Sequence, residues 1–161
     1  MAEKVNDIKY FSIIKALSKA IDLISETVIG HHKKVAYISC QLANEMDLSD
    51  TDRKNLIFAA LIHDLGVFHL NQKFSDLSFD QKDNRHALVG YELLKDNPVT
   101  RVLGEIIKYH HTEWKEYPDE ENYLSHILFL ADRISVLLKE NKNVLNQKSK
   151  IKNLINKYSK S

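Results

Sequence analysis

Apolar residues return every three or four positions along most of this chain and nowhere alternate with polar ones. That period marks helices with one buried stripe, not half-buried strands. Tyr10, Ile14, Leu17, Ile21, Ile24 and Val28 form one such stripe and predict a first helix from about Lys4 to Val28. Gly30 interrupts it, and Val35, Ile38 and Leu42 share a face of a second helix. Ser49 or Asp50 is suited to cap a third helix reaching about Leu65, with Leu56, Ile57, Ala60 and Leu61 inward and Gly66 as its stop. Further helices are predicted from about His86 to Lys95, from about Val99 to His111 and from about Tyr123 to Lys139. A last one carries Ile151, Leu154, Ile155 and Tyr158. Between them, Val67 to Arg85 and Thr112 to Asn122 read as loops, and Glu140 to Lys150 as a solvated connector.

The chain has 161 residues, four Gly and two Pro, which suits one all-α bundle of helices joined by short turns. The expected core spans residues 30–139, flanked by an N-terminal helix over 1–28 and a C-terminal one over 144–160. A formal net charge of +1 gives no footprint for a nucleic-acid duplex or an anionic membrane surface. No apolar run approaches a membrane span. Cys40 is the only cysteine, so no internal disulfide can form, and it is expected to be a small buried side chain on the second helix. Without a signal-peptide core at the N-terminus, the expected location is the cytoplasm.

Polar chemistry changes the picture of an anonymous bundle. His31, His63, Asp64, His86, His110, His111 and Asp132 fall mainly on the inward faces of these helices. A lone inward histidine is more often a hydrogen-bonded core residue than a ligand. A buried aspartate on the most apolar helix, as Asp132 would be, is costly unless paired. Seven such groups together are enough to hold two first-row divalent ions. Adjacent helical residues diverge by about 100°, so His63 and Asp64 can grip one ion from two sides, or Asp64 can bridge two. His32 is expected to be a partly exposed helix-start residue, with support of a neighbouring metal ligand as the alternative; His69 is expected to lie at the surface or approach a phosphate, and His126 to be structural.

These residues stand in motifs that resemble the HD superfamily of metal-dependent phosphohydrolases, and within it the HD-GYP branch. His31 with Val35, AALIHDLG (Ala59–Gly66), RHALVGYELL (Arg85–Leu94), IIKYHH (Ile106–His111) and FLADRIS (Phe129–Ser135) are similar to its successive motifs. The resemblance implies a single helical HD-type domain of about seven or eight helices with a binuclear iron or manganese site. It implies hydrolysis of a cyclic dinucleotide such as cyclic di-GMP, or a related phosphate ester, by a hydroxide bridging the metals. His31, His63, Asp64 and Asp132 would hold one ion. Asp64, His86, His110 and His111 would hold the other, making Asp64 the central catalytic residue.

Three positions depart from that pattern. Val67 replaces the lysine expected after HDLG, Glu116 stands where the GYP loop has Gly, and the arginine-bearing phosphate segment after Asp132 is not recognisable. Thr27 takes the place of a glutamate that some members use for a third metal. His69, Tyr117 and Lys139 are the remaining candidates for substrate contacts, with Lys142 a weaker one. A metal-bearing sensory module without turnover, and a nucleotidase, stay as alternatives. A chain this size can also be one module of a longer signalling protein, or one half of a homodimer.

Overall fold

The helical period is realised throughout the residues that the computed structural model describes, which are 2–23, 29–70, 84–112, 122–138 and 144–159. Seven α-helices and one short 3-10 turn are formed, with no strand among the described residues. They are α1 (Ala2–Asp22), α2 (His31–Glu45), α3 (Asp50–Ile62), α4 (Arg85–Leu94), α5 (Arg101–Lys108), α6 (Tyr123–Leu138) and α7 (Val144–Ser159), the 3-10 turn (Leu65–Phe68) following α3.

α2 and α3 pack against each other, and α6 lies across α2, α3 and α5. α4 pairs with α5 and with the 3-10 turn, while α1 covers α3. Val35, Leu56, Ile62, Leu103, Ile107 and Leu128 fill the centre and are fully buried. Each contributes about 1.5–3 kcal/mol of burial. Ser49 caps α3 as expected, its hydroxyl accepting from the Asp52 amide at 3.1 Å.

Several boundaries differ from the sequence reading. α1 ends at Asp22, and Ile24, Thr27 and Val28 lie outside the described residues. Its inner face is Ile14, Ser18 and Ile21, while Leu17 stays 36% exposed. Tyr10 meets the ring of Phe58 edge-on and Phe11 stacks on it. Cys40 is only half-buried. α5 starts at Arg101 and stops at Lys108, so His110 and His111 stand in the turn beyond it. α7 begins at Val144, inside the stretch expected to be a connector, and presents Ile151 and Leu154 half-buried but Ile155 exposed.

Gly66 is not the stop of α3, which ends at Ile62. It lies in the 3-10 turn, where an added Cβ would sit 2.0 Å from the His86 carbonyl oxygen and 2.7 Å from the Gly90 amide nitrogen. The turn and α4 therefore touch backbone to backbone. This contact sets His63 and Asp64 beside His86. No helix among the described residues is long and apolar enough to cross a membrane.

Candidate metal centre

The last carbonyls of a helix lack intrahelical donors, and this fold uses two of them. His63 follows α3, and its Nδ1–H donates to the Ala60 carbonyl at 2.9 Å. His110 follows α5, and its Nδ1–H donates to the Ile107 carbonyl at 2.6 Å. A carbonyl can only accept, so each ring must carry its proton on Nδ1 and present a bare Nε2 lone pair. The negative end of each helix dipole also favours a cation nearby.

The inward side chains form two groups whose donor atoms lie within 4.8 Å of one another, His31 with His63 and Asp64, and His86 with His110 and His111. In the first, His31 Nε2 is 3.1 Å from Asp132 Oδ1, and its Nδ1 meets the Ser135 hydroxyl at 3.2 Å. His63 Nε2 lies 3.3 Å from Asp64 Oδ2 and 3.9 Å from Asp132 Oδ1. In the second, His86 Nε2 lies 3.5 Å from Asp64 Oδ1 and 2.8 Å from His111 Nε2. The His110 ring meets His86 edge to face at 5.3 Å and lies tilted by 47° against His111 at 4.0 Å. Asp64 thus turns one oxygen to each group.

The electrostatics suit metal ligation. Burial, reinforced by the charges of His32 and His31, lowers the His63 pKa to about 4. Burial and the neighbouring imidazoles hold His110 well below its ordinary value, and burial with His86 and Arg133 lowers His111 to about 3. Burial opposes ionisation of Asp64 and Asp132, but the surrounding imidazoles outweigh it and both carboxyls fall below the usual range. Neutral imidazoles beside ionised carboxylates are the protonation state a metal requires.

Several of these atoms have no protein partner. His110 Nε2 and His86 Nδ1 are buried without a hydrogen bond, and Asp132 Oδ1 accepts none although His31 Nε2 is so near. A bare imidazole lone pair facing a carboxylate oxygen is repulsive unless a cation stands between them. Donor separations of about 3 Å are what neighbouring ligands at about 2.1 Å from one ion produce. The residues present therefore fit divalent metals bound through nitrogen and oxygen.

All seven expected ligands converge here, and all but the half-buried His111 are buried. His69 is exposed just past the 3-10 turn, His126 is half-buried on α6, and Tyr117, Glu116, Lys139 and Lys142 lie outside the described residues. The expectation that His32 is partly exposed fails, while the alternative, contact with a ligand residue, fits. His32 is fully buried, with Nδ1 3.2 Å from Asp22 Oδ1 and Nε2 3.3 Å from Asp64 Oδ2. A single stripe through Val35 left His32 outside, but α2 is covered by α1, α3 and α6 together, which buries a wider arc. Arg133 is a second addition: its Nη2 lies 3.0 Å from His111 Nδ1 and its guanidinium sits over the Phe129 ring. The doublet His31-His32 and the basic residue after Asp132 were the signals available.

Comparison with known proteins agrees with this geometry. The HD domain family model matches residues 28–137. The 3'3'-cGAMP-specific phosphodiesterase 1 of Vibrio cholerae is 30% identical over 128 residues, covering 75% of this chain and 30% of that protein. The 3'3'-cGAMP-specific phosphodiesterase 3 of the same organism is 28% identical over 141 residues, covering 80% of this chain and 31% of its own length. The chain thus spans under a third of either relative. No solved structure gives a significant match. With the match running over most of the chain, and the motif residues gathered at one centre between its helices, the chain belongs to the HD domain family.

Proposed function

We propose that this domain is a metal-dependent phosphodiesterase acting on a cyclic dinucleotide, with 3'3'-cGAMP the first candidate and cyclic di-GMP the second. The observation that carries it is Asp64, whose Oδ2 faces His63 and whose Oδ1 faces His86. One carboxylate between two ligand groups is the arrangement a two-metal site needs. His31, His63, Asp64 and Asp132 would hold one ion, and Asp64, His86, His110 and His111 the other. Iron or manganese suits this nitrogen–oxygen set, which contains no thiolate. When bound, two such ions make water a nucleophile near neutral pH and neutralise charge on a phosphodiester. The names of the two relatives direct the substrate class toward 3'3'-cyclic dinucleotides.

The protein's own contribution is orientation and charge. Asp64 fixes the spacing of the two halves, while Ser135 and the helix-end carbonyls hold the rings. Arg133 is the cation at the half-buried edge beside His111, where a substrate phosphate would enter. It supplies a charge that Val67, only 2% exposed, does not. His69, Tyr117 and Lys139 are further candidates for substrate contact.

Val67 also supports a second reading, a regulatory module that binds metal and nucleotide without turnover. Protein loaded with iron or manganese should convert 3'3'-cGAMP, followed by chromatography beside cyclic di-GMP and a bis-aryl phosphate. Stoichiometric metal with no turnover of any of the three would remove the enzyme reading. Binding of a dinucleotide without turnover would favour the module.

A further inference from the structure

His32 belongs to none of the motifs above, yet it is 0% exposed and reaches the same oxygen as His63. Both Nε2 atoms lie 3.3 Å from Asp64 Oδ2, and the two ring centroids are 5.1 Å apart with planes tilted by 53°. Each ring is anchored at its other nitrogen, His63 by the Ala60 carbonyl and His32 by Asp22 Oδ1 at 3.2 Å. Asp22 is itself nearly buried, with 11% of its side chain exposed, and ends α1 facing the ring. A carboxylate on one ring nitrogen with the other nitrogen aimed at a metal is the usual way a ligating histidine is oriented.

The bonding at Nε2 sharpens the point. It is buried and makes no hydrogen bond, despite its nearness to Asp64. A purely structural core histidine has both nitrogens satisfied. Burial disfavours charge on this ring, but the carboxylates of Asp64 and Asp22 outweigh it and raise its pKa, so a positive charge is favoured at Nε2, carried either by a second proton or by a metal ion. A metal ion shared by His32, His63 and Asp64 Oδ2 supplies that charge and also removes the conflict at the His63 lone pair.

We propose that His32 is an additional metal ligand, positioned by Asp22, at the ion held by Asp64 Oδ2. This rests on the two-metal reading of the site and adds a nitrogen donor to its first half. Asp22 is a positioning residue that acts through the ring.

The test compares His32→Gln, Asp22→Asn and His63→Gln in the full chain. Metal per chain is measured by elemental analysis, affinity by chelator competition, and coordination by the visible spectrum after Co2+ substitution. His32→Gln is expected to weaken one ion at least tenfold and to change the Co2+ bands. Asp22→Asn should weaken the same ion several-fold and shift the bands less. The Gln amide can still donate a hydrogen bond to Asp64, so a merely structural His32 predicts unchanged affinity and unchanged bands. That result overturns the proposal. If His63→Gln also leaves metal content intact, the two-metal reading itself falls; if only His63→Gln empties the site, His32 alone is misassigned. Should His32→Gln fail to fold by circular dichroism, Asp22→Asn decides, because wild-type affinity and spectrum in that variant contradict the inference.

Discussion

The two halves of the centre differ in how ready they are for a cation. Around His31, His63 and Asp132, carboxylate oxygens lie against imidazole nitrogens, and the Ala60 carbonyl has already fixed the His63 tautomer. Around His86, His110 and His111 the carboxylate contact among the described residues is that of Asp64 Oδ1 with His86. There the His86 and His111 nitrogens meet each other at 2.8 Å while Arg133 donates to His111 Nδ1. Since the guanidinium can only donate, a neutral His111 keeps its proton on Nε2, the nitrogen that faces His86 and that the proposed second ion would use. One half is arranged in advance; the other must move a proton and release Arg133. Pre-organisation of this kind separates affinities even where the ligand count is similar.

The largest effect that tests this contrast comes from Asp64→Ala. Removing the one carboxylate shared by both halves should empty both, with turnover falling about 10³-fold, the scale of losing a central electrostatic element. His110→Ala should empty only the second half, leaving about one ion by elemental analysis. If both variants lose the same amount of metal, the halves are not separate sites.

Gly66→Ala acts on the contact that joins them. The new methyl would overlap the His86 carbonyl and the Gly90 amide, so the 3-10 turn must leave α4. Overpacking against backbone should cost about 3 kcal/mol or more, read by urea unfolding. A loss below about 1 kcal/mol would show that the two elements part easily.

Acid should weaken the metal-stripped protein. His63 is held at about 4 and His111 at about 3, whereas an unfolded histidine titrates near 6.5. Between those values the unfolded chain binds more protons, so stability falls as pH drops from about 6.5 toward 4. Asp64 and Asp132 add to the loss at still lower pH, where their depressed folded-state values are reached. His32 works the other way, since Asp64 and Asp22 outweigh burial and raise its pKa, but it opposes three depressed rings. The melting temperature in chelator should therefore still decline over this range, and a flat profile down to pH 4.5 would contradict the burial of these rings.

Arg133→Met should give the smallest change and one of mixed sign. Without the guanidinium, His111 is free to carry its proton on Nδ1, and the second ion should bind several-fold more tightly in chelator competition. Turnover of a cyclic dinucleotide should fall, because the cation at the entrance is gone. Unchanged metal affinity would mean that the second half is as ready as the first.

Much of this was legible in the sequence because ligands must point inward, and inward positions follow the apolar period. His31, His63 and Asp132 sit on recognisable stripes, whereas His86, at the first turn of its helix, is marked only by the family motif. His32 escaped because a stripe describes one neighbour, whereas α2 has three. The tandem His110-His111 was placed on a helix that in fact ends at Lys108, since local periodicity does not report where the chain turns. Gly66 looked like a stop because a glycine after an apolar run usually is one. Only the partner backbone of α4 shows why the residue must be small there.

The carbonyls of Ala60 and Ile107 have a consequence for mutability. Because the main chain, not a side chain, selects which nitrogen of His63 and His110 is bare, no substitution at positions 60 or 107 that preserves the helix ends can erase that choice. Drift in the neighbouring sequence can reshape the mouth of the centre and still leave its innermost imidazoles set.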